Sequence, residues 1–279
     1  MVVLLIPGVG QAEWEFDPAL RVAADFDDNA GLSHLTAQED SIDGYIGELD
    51  IEALFRSETG IFSINPIIRT RAYNSDTDRD SDDQFLNFRV SRDGQFHTFG
   101  LRGNYSRESV RTAELADAEL DADLDPDEIE DDDSSLINTR DPREKLRVVP
   151  SWSYQLSDVS SWHADVGILN VDYINDDPVQ GGNLVDYTDI RGRLSYQRNM
   201  SARNTGILTL TARNYQTDQL GGDVNGYGVS AGLNRAMTET TTFRAMIGVE
   251  ETEQSNDSNE PSVVTDISLV RRQETTRLL

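Results

Sequence analysis

The sequence predicts an all-β fold in which at least twelve antiparallel strands follow one another up and down. Three observations predict it: apolar and polar residues alternate, short and long connections alternate, and aromatic residues collect at the ends of the alternating segments. The alternation is clear where Trp152, Tyr154 and Leu156 are interleaved with Ser151 and Ser153. Since successive side chains of a strand point to opposite faces, each segment has one apolar and one polar face.

Each predicted strand is justified by this period of two and by the turn or polar residues at its ends. The first has apolar residues at even positions from Trp14 to Phe26, and the second has them at odd positions from Tyr45 to Phe55. The later segments follow the same rule with their own parity. In order, the predicted strands cover residues 14–26, 42–56, 60–73, 84–91, 95–106, 145–156, 162–173, 185–197, 204–216, 225–235, 241–251 and 262–271.

The connections between these segments are alternately short and long. The short ones are 57–60, 91–94, 157–161, 198–203 and the stretch around 237–240; the long ones are 27–41, 74–83, 107–144, 174–184, 217–224 and 252–261. Outer-membrane β-barrels have short periplasmic turns and longer extracellular loops. The order therefore predicts a transmembrane barrel in the Gram-negative outer membrane, with the mature N-terminus in the periplasm.

Aromatic residues support a membrane on the apolar face. Near the long loops, Phe26, Tyr45, Tyr105 and Tyr227 have the parity of the apolar face. Rings prefer the membrane interface, whereas nothing in a soluble β-sandwich, the alternative fold, would collect them at one end. The predicted membrane-interface aromatics at the short turns are Phe16, Phe55, Phe62, Phe88, Phe99, Tyr154, Trp162, Tyr196 and Phe243.

The opposite parity is rich in charge, which predicts a wet barrel lumen. Such charges could not lie in a dry sandwich core without large desolvation costs, although the solvated face of an ordinary sheet would also accept them. Arginine suits a lumen because its planar fork can bind a carboxylate of the next strand. The predicted lumen-lining residues, which could set charge selectivity, are Glu48, Asp50, Glu52, Arg69, Arg71, Arg89, Arg102, Asp189, Arg191, Arg193, Arg213 and Arg244.

Composition excludes several classes of protein. The 279 residues carry a formal net charge of −27, which argues against a nucleic-acid partner, because a phosphate-binding face needs clustered cations. Lys145 is the only lysine, so nearly every cation is arginine, and the absence of cysteine excludes disulfides and thiolate metal sites. No apolar run has the length of a membrane helix.

The two ends of the chain have features of a longer precursor. Residues 1–12 form an apolar stretch that ends in Gly10-Gln11-Ala12, typical of a signal-peptide cleavage site without its charged n-region; a short N-terminal strand is the alternative. We therefore divide the chain into a partial signal peptide (1–12) and a barrel (13–279). At the other end 276–279 resembles the start of another strand, and Leu279 is not the aromatic residue that commonly ends such barrels. Truncation at both ends is the expectation.

The predicted loop 107–144 is strongly acidic. Between Glu114 and Asp133 it has 12 acidic residues in 20 and no basic one. Asp121, Asp123 and Asp125 resemble part of a calcium loop, but Pro126 occupies the position where glycine is needed. A solvated, like-charged loop is therefore the default. We expect loosely bound divalent cations at most, with no other cofactor and no structural metal.

The histidines do not predict an active site. A metal or hydrolase site needs histidine together with further ligands, a nucleophile or carboxylates. His34 lies in a predicted loop and His97 near a turn, while His163 and Asp165 share a polar face and could form a dyad. We therefore predict that the protein is not an enzyme, with a barrel hydrolase as the alternative that would need His163.

Four segments of the chain carry a family resemblance: VVPSWSYQLSD (148–158), NVDYINDDP (170–178), DYTDIRGRLSYQRNMS (186–201) and the hairpin run 82–109. They resemble a family of β-barrel porins of proteobacteria whose members are often linked with exopolysaccharide export. The resemblance covers about residues 40–279. It implies an outer-membrane barrel and a role in polysaccharide secretion, and it supplies no catalytic residues.

We therefore expect a passive channel or export component. The alternative is a non-conducting structural or adhesive barrel whose acidic loops meet cations, sugars or other cells. Eight strands leave an interior filled by side chains and 16–18 leave an aqueous channel, so twelve or more are compatible with conduction. The expected partners are outer-membrane lipid and lipopolysaccharide, with polysaccharide or small solutes as cargo. The sequence does not predict an oligomeric state.

Overall fold

The structure is a computed structural model that describes residues 13–27, 42–74, 80–109, 142–174, 185–217, 222–254 and 261–271. Several predictions lie outside these residues. They are the signal segment 1–12, His34, most of the acidic loop with Asp121, Asp123 and Asp125, and the strand start at 276–279. Among the described residues, no helix is long and apolar enough to cross a bilayer.

The described residues form one twelve-stranded sheet whose strands neighbour one another in sequence order. This antiparallel up-and-down order confirms the predicted fold class and all twelve predicted strands. The strands are β1 (Glu13–Asp27), β2 (Ile42–Ser57), β3 (Gly60–Tyr73), β4 (Ser81–Asp93), β5 (His97–Ser109), β6 (Pro142–Ser157), β7 (Ser160–Tyr173), β8 (Tyr187–Ser201), β9 (Asn204–Thr217), β10 (Val224–Ala236), β11 (Thr241–Gln254) and β12 (Pro261–Arg271).

Most strands extend further than the sequence predicts, at the expense of the connections. β8 continues to Ser201, so the connection predicted over 198–203 shrinks to two residues. Polar side chains support this tight turn: the Ser201 hydroxyl accepts a hydrogen bond from the Asn204 amide (3.2 Å), and the Thr205 hydroxyl donates to Asn199 (2.8 Å). A register shift between Asn199 and Ser201 accommodates the extra residue. Turn-forming residues here extend the ladder instead of ending it.

Contacts divide the chain into two units, which are described separately. Unit 1 comprises Met1–Val90, Gly103–Arg147 and Asn170–Asp186. Unit 2 comprises Ser91–Arg102, Val148–Leu169 and Tyr187–Leu279. In both units the strands pair so that apolar residues lie on one face of the sheet and polar residues on the other.

In each unit the register brings like residues together. In unit 1, β2 places Leu49 opposite both Leu20 of β1 and Ile68 of β3. In unit 2 an apolar row crosses five strands, with each member opposite the next: Leu194, Leu210, Val229, Val249 and Val263. Because paired residues share a face of the sheet, these rows form one continuous apolar face in each unit.

Exposure is reversed relative to an ordinary water-soluble protein. On the apolar face of unit 1, Leu20 is 75% exposed and Phe26 is 77% exposed, whereas Asp83 on the polar face is fully buried. In unit 2, Ile267 is 73% exposed, whereas Asp189 is only 3% exposed. Large apolar side chains usually avoid water and carboxylates usually seek it. In each unit the large apolar side chains of one face are therefore more exposed than the carboxylates of the other.

A proline interrupts one ladder of unit 1. Pro66 lies inside β3, and the pairing of β2 with β3 is missing between Asp50–Ile67 and Ala53–Ile64. Since proline has no N–H to donate, the carbonyl of Ile51 loses a ladder partner. The side-chain amide of Asn65 replaces it, donating to Ile51 O (3.3 Å) and to Asp50 Oδ1 (2.6 Å).

We predict that Asn65→Ala destabilises the protein by about 1 kcal/mol, because it removes the donor that replaces the missing ladder bond. Urea unfolding of the lipid-reconstituted protein, followed by tryptophan fluorescence, measures the change. Asn87→Ala is the matched control, because Asn87 is exposed on β4. Equal effects of the two substitutions would contradict this role for Asn65.

Candidate functional site on the polar face of the sheet

A carboxylate shared by two arginines lies at the centre of the polar face of unit 1. Glu48 on β2 is opposite Arg21 of β1 and Arg69 of β3, so three strands bring one row of charges together. Arg21 Nη1 donates to Glu48 Oε1 (2.6 Å), while Arg69 approaches Oε2 through Nη2 (2.8 Å) and Nε (2.9 Å). Glu48 is buried by this arrangement, whereas most of the Arg21 side chain is exposed.

A second ion pair lies further toward the long-loop end of unit 1. Arg71 of β3 pairs with the buried carboxylate of Asp83 on β4. The guanidinium of Arg69 also lies over the Phe85 ring, 5.5 Å from its centroid. A cation over an aromatic face is attracted by the ring's quadrupole, so Phe85 on the polar face helps to position the Arg69 side chain.

The same end of unit 1 has a polar cavity of about 350 Å³. Buried Glu108 of β5 is 3.7 Å from Arg143 of β6, which again pairs a carboxylate with an arginine of the next strand. Asp82 and Asp80 are exposed and accept hydrogen bonds from the Thr70 hydroxyl and the Tyr73 amide. The cavity is lined by residues 80–84, 107–109 and 142.

Unit 2 repeats the pattern with Asp189 of β8. Arg213 of β9 donates from Nε to Oδ1 (3.0 Å) and from Nη2 to Oδ2 (2.9 Å), a bidentate contact. Arg191, two residues along the same strand, reaches Oδ2 through Nη2 (2.7 Å). The Arg213 guanidinium lies 5.7 Å from the centroid of Tyr215, which packs against Tyr187. The acid is buried, but nearly half of each arginine side chain stays exposed.

The remaining predicted lumen residues lie outside these clusters. Asp50 accepts from Asn65, and Arg244 is 3.7 Å from Asp266. The other four have the parity of the polar face, and their side chains are exposed, as expected for residues that line a wet lumen. They are Glu52, Arg89, Arg102 and Arg193.

Aromatic residues cluster on the apolar face of unit 1 at its short-turn end. The Trp14 ring packs against Phe55 (5.0 Å between centroids), Phe16 (5.7 Å) and Phe62 (6.2 Å). All of these except Trp14 are predicted interface residues. Trp14 itself, missed by the sequence prediction, has the same parity as Phe16, so the alternation alone could have identified it.

Phe88, another predicted interface residue of unit 1, packs beside a glycine. A Cβ atom at Gly103 would lie 2.8 Å from the Arg147 carbonyl and closer still to the Phe88 ring. Only glycine leaves room for the ring at this point of the sheet, which explains a glycine in the middle of β5.

Unit 2 has an aromatic stack at its short-turn end. The His97 ring stacks on Tyr154 (4.6 Å) and lies near Trp152 and Phe99, and the Trp152 indole N–H donates to His97 Nδ1 (3.3 Å). Trp162 packs against Tyr196 with centroids 5.0 Å apart. The sequence prediction placed Trp152 on the apolar face but did not include it among the interface aromatics. It did not assign His97 to this face, although the parity of His97 matches that of Phe99.

His163, which the hydrolase alternative would need beside Asp165, makes a different contact. His163 Nε2 lies 3.1 Å from the Ser161 hydroxyl, and no hydrogen bond joins it to Asp165 among the described residues. Within the described part of the chain, no group of three or more histidines and carboxylates is arranged to hold a metal ion.

Comparisons with known proteins find likeness only among solved structures. No family model matches the chain, and no curated protein matches it. The fold is similar to that of a loop L8 deletion mutant of OmpT, an outer membrane protein of Vibrio cholerae, with a TM-score of 0.45, 8% identity, and 93% of this chain and 99% of that chain covered. It is also similar to outer-membrane expressed OmpT of Vibrio cholerae, with a TM-score of 0.44, 7% identity, and 93% of this chain and 96% of that chain covered. A deltaS2 mutant of the TodX monoaromatic hydrocarbon channel has a TM-score of 0.35 and 12% identity, covering 89% of this chain and 75% of that one.

We predict that Glu48→Gln destabilises the protein by about 2 kcal/mol, because two guanidinium groups then face a neutral amide at a buried position. Glu52→Gln is the matched control: it makes the same chemical change on the same strand face, but at an exposed position. Urea unfolding in lipid vesicles measures both. Similar losses for the two variants would show that Glu48 does not hold the three strands together.

Proposed function

We propose that the protein is a β-barrel of the Gram-negative outer membrane and acts as a passive channel for small solutes. The observation that carries this proposal is the reversed distribution of side chains: large apolar residues are exposed, whereas the carboxylates of Glu48, Asp83, Glu108 and Asp189 are buried. Hydrocarbon lipid is the solvent that such a surface fits, and backbone hydrogen bonds between neighbouring strands satisfy the polar groups that lipid cannot.

The outward face supports a membrane setting in unit 2 through its continuous apolar row. Val229 and Val249 lie opposite each other near the middle of their strands, and both are close to half exposed. Apolar area left in water costs roughly 25 cal/mol per Å², and a row across five strands repeats that cost. The aromatic pair Trp162–Tyr196 lies nearer the turn ends, at the level where rings favour the membrane interface.

The polar face supports a water-filled interior. Asp189 and Glu48 are buried, yet their arginine partners remain partly exposed, so each guanidinium can be reached by water and by a passing solute. A dry core would bury both members of each pair at a high desolvation cost. The exposed Arg193 and Glu52 add charges that would set the selectivity of such a channel.

The lengths of the connections support the orientation. The tight turns after β2, β6 and β8 contain two residues each, whereas the long connections lie at the other ends of the strands. In outer-membrane barrels the short turns face the periplasm. The long-loop ends with Asp82 and Glu108 would then face outward from the cell.

A role in exopolysaccharide export is the more specific form of this proposal. It rests on the resemblance at 148–158, 170–178 and 186–201 to porins linked with such systems. The polar face offers rows of hydrogen-bonding side chains, among them Ser195 and Thr209, whose hydroxyls are 3.1 Å apart. Deleting the gene should then lower secreted polysaccharide without lowering the amount inside the cell.

We further propose that the protein has no catalytic activity and no tightly bound cofactor. His163 contacts Ser161 but has no carboxylate partner among the described residues, which leaves the pair without the third group of a hydrolytic triad. Loss of an ester- or peptide-cleaving activity in Ser161→Ala would overturn this. Outer-membrane lipid and lipopolysaccharide remain the expected partners.

The membrane assignment predicts that the protein fractionates with the outer membrane and resists extraction by alkaline carbonate. It should also migrate faster on gel electrophoresis without heating, since a folded barrel stays compact in detergent. Recovery in the soluble periplasmic fraction would exclude the membrane and favour an exported sandwich.

The channel assignment predicts stepwise conductance in planar bilayers. Arg193→Gln should shift the reversal potential under a salt gradient toward cation preference, because it removes a cation from the polar face. Arg203→Gln is the control, since it removes the same charge from the turn between β8 and β9. A silent protein would favour the structural or adhesive barrel, and equal shifts would argue against a lumen position for Arg193.

A further inference from the structure

Arginines also occur on the apolar face of unit 2, and within its described residues they lie only at one end. Arg92 of β4, Arg198 of β8, Arg235 of β10 and Arg271 of β12 have the parity of that face and lie in its last rows before the short turns. All four side chains are exposed. We refer to them as the turn-end arginines.

Their position follows a fixed order along the strands. Arg198 comes two residues after Tyr196 on the same face, nearer the turn. Arg235 lies directly opposite Phe243, and Phe243 lies opposite Leu269. From the middle of the sheet toward the turns, the face thus passes from aliphatic rows to rows that contain aromatic residues and arginines together.

The turn-end arginines differ from the arginines of the polar face in their partners. Arg191 and Arg213 bind Asp189, and Arg244 lies near Asp266. The turn-end arginines form no ion pair with any described carboxylate. Three acidic residues lie near the same ends of the strands. Asp93 ends β4 and accepts a hydrogen bond from the Thr98 hydroxyl, and Asp158 and Glu239 lie in the turns after β6 and β10.

The other end of the same face carries the opposite charge. Glu251 and Glu253 of β11 share the apolar parity of Phe243, but lie at the long-loop end of the strand. In the described part of unit 2, the last rows of the apolar face before the short turns contain no carboxylate. The charge of this face is therefore polarised along the strands.

We propose that the turn-end arginines bind the phosphate groups of anionic phospholipids in the leaflet that meets the short turns. This inference rests on the proposed membrane barrel and names the class of lipid that the barrel binds. A guanidinium binds phosphate oxygens bidentately, and a long arginine side chain can lie along the apolar surface while its charge reaches the headgroups. Each arginine near an anionic surface contributes roughly a fivefold preference.

The test uses the full chain refolded into phosphatidylcholine vesicles of two kinds. One kind contains a minor share of brominated phosphatidylglycerol, and the other contains the same share of brominated phosphatidylcholine. Bromine quenches tryptophan fluorescence on contact, and Trp162 lies near the turn end of this face. We expect the wild-type protein to associate with phosphatidylglycerol at least tenfold more strongly than with phosphatidylcholine. The four turn-end arginines would each contribute roughly fivefold, and salt and the nearby acidic residues screen much of this preference.

The variant R92Q/R198Q/R235Q should lose most of this preference. The control R89Q/R193Q/R244Q removes the same charge from the polar face and should keep it. If the triple variant does not refold, the single variant R198Q should lower the preference by a few-fold. Loss of the preference in the control, or its retention in the arginine variant, would overturn the proposal.

Three further outcomes separate the possible failures. If lipopolysaccharide added to the vesicles is bound through the turn-end arginines in preference to phosphatidylglycerol, the turns face the outer leaflet and the proposal is wrong. If the wild-type protein inserts but shows no lipid preference, only this inference fails. If it does not insert at all, the membrane assignment itself fails.

Discussion

The pairing of each buried carboxylate with arginines on neighbouring strands is the interaction on which the rest of the structure depends. Glu48 is held by β1 and β3 at once, and Asp189 is held by its own strand and β9. A slip of one residue in register would turn every side chain of a strand to the other face. It would separate these pairs and place guanidinium groups among the outward apolar rows, so the ion pairs specify the register as well as the charge balance.

The use of arginine instead of lysine has a physical reason in this setting. A guanidinium offers several donors in one plane, so Arg213 binds both oxygens of Asp189 and still lies beside Tyr215. It also keeps its charge when partly desolvated. The same properties would suit the turn-end arginines to the phosphate groups proposed as their ligands.

The location of the strands could be predicted well because alternation is a local property of the chain. The precise ends could not, since β8 is extended by hydrogen bonds that Ser201 and Asn199 make across the turn. The tolerance of Pro66 inside β3 could not be predicted either, because the replacement hydrogen bond from Asn65 exists only when β2 lies alongside. Parity assigned Phe55 and Phe62 to one face, and the same parity would have assigned Trp14 to it as well.

By itself the sequence determined the all-β class, the number of visible strands, the two unlike faces and the end at which the aromatic residues collect. These features follow from the alternation of apolar and polar residues and from the lengths of the connections. Both can be recognised without knowing which strands pair. Only the tertiary structure decided which charges meet, because Arg21, Glu48 and Arg69 are far apart in the chain and come together through the register of three strands. It also decided that Ser161, not Asp165, is the partner of His163, since a shared strand face allows a contact but does not select it.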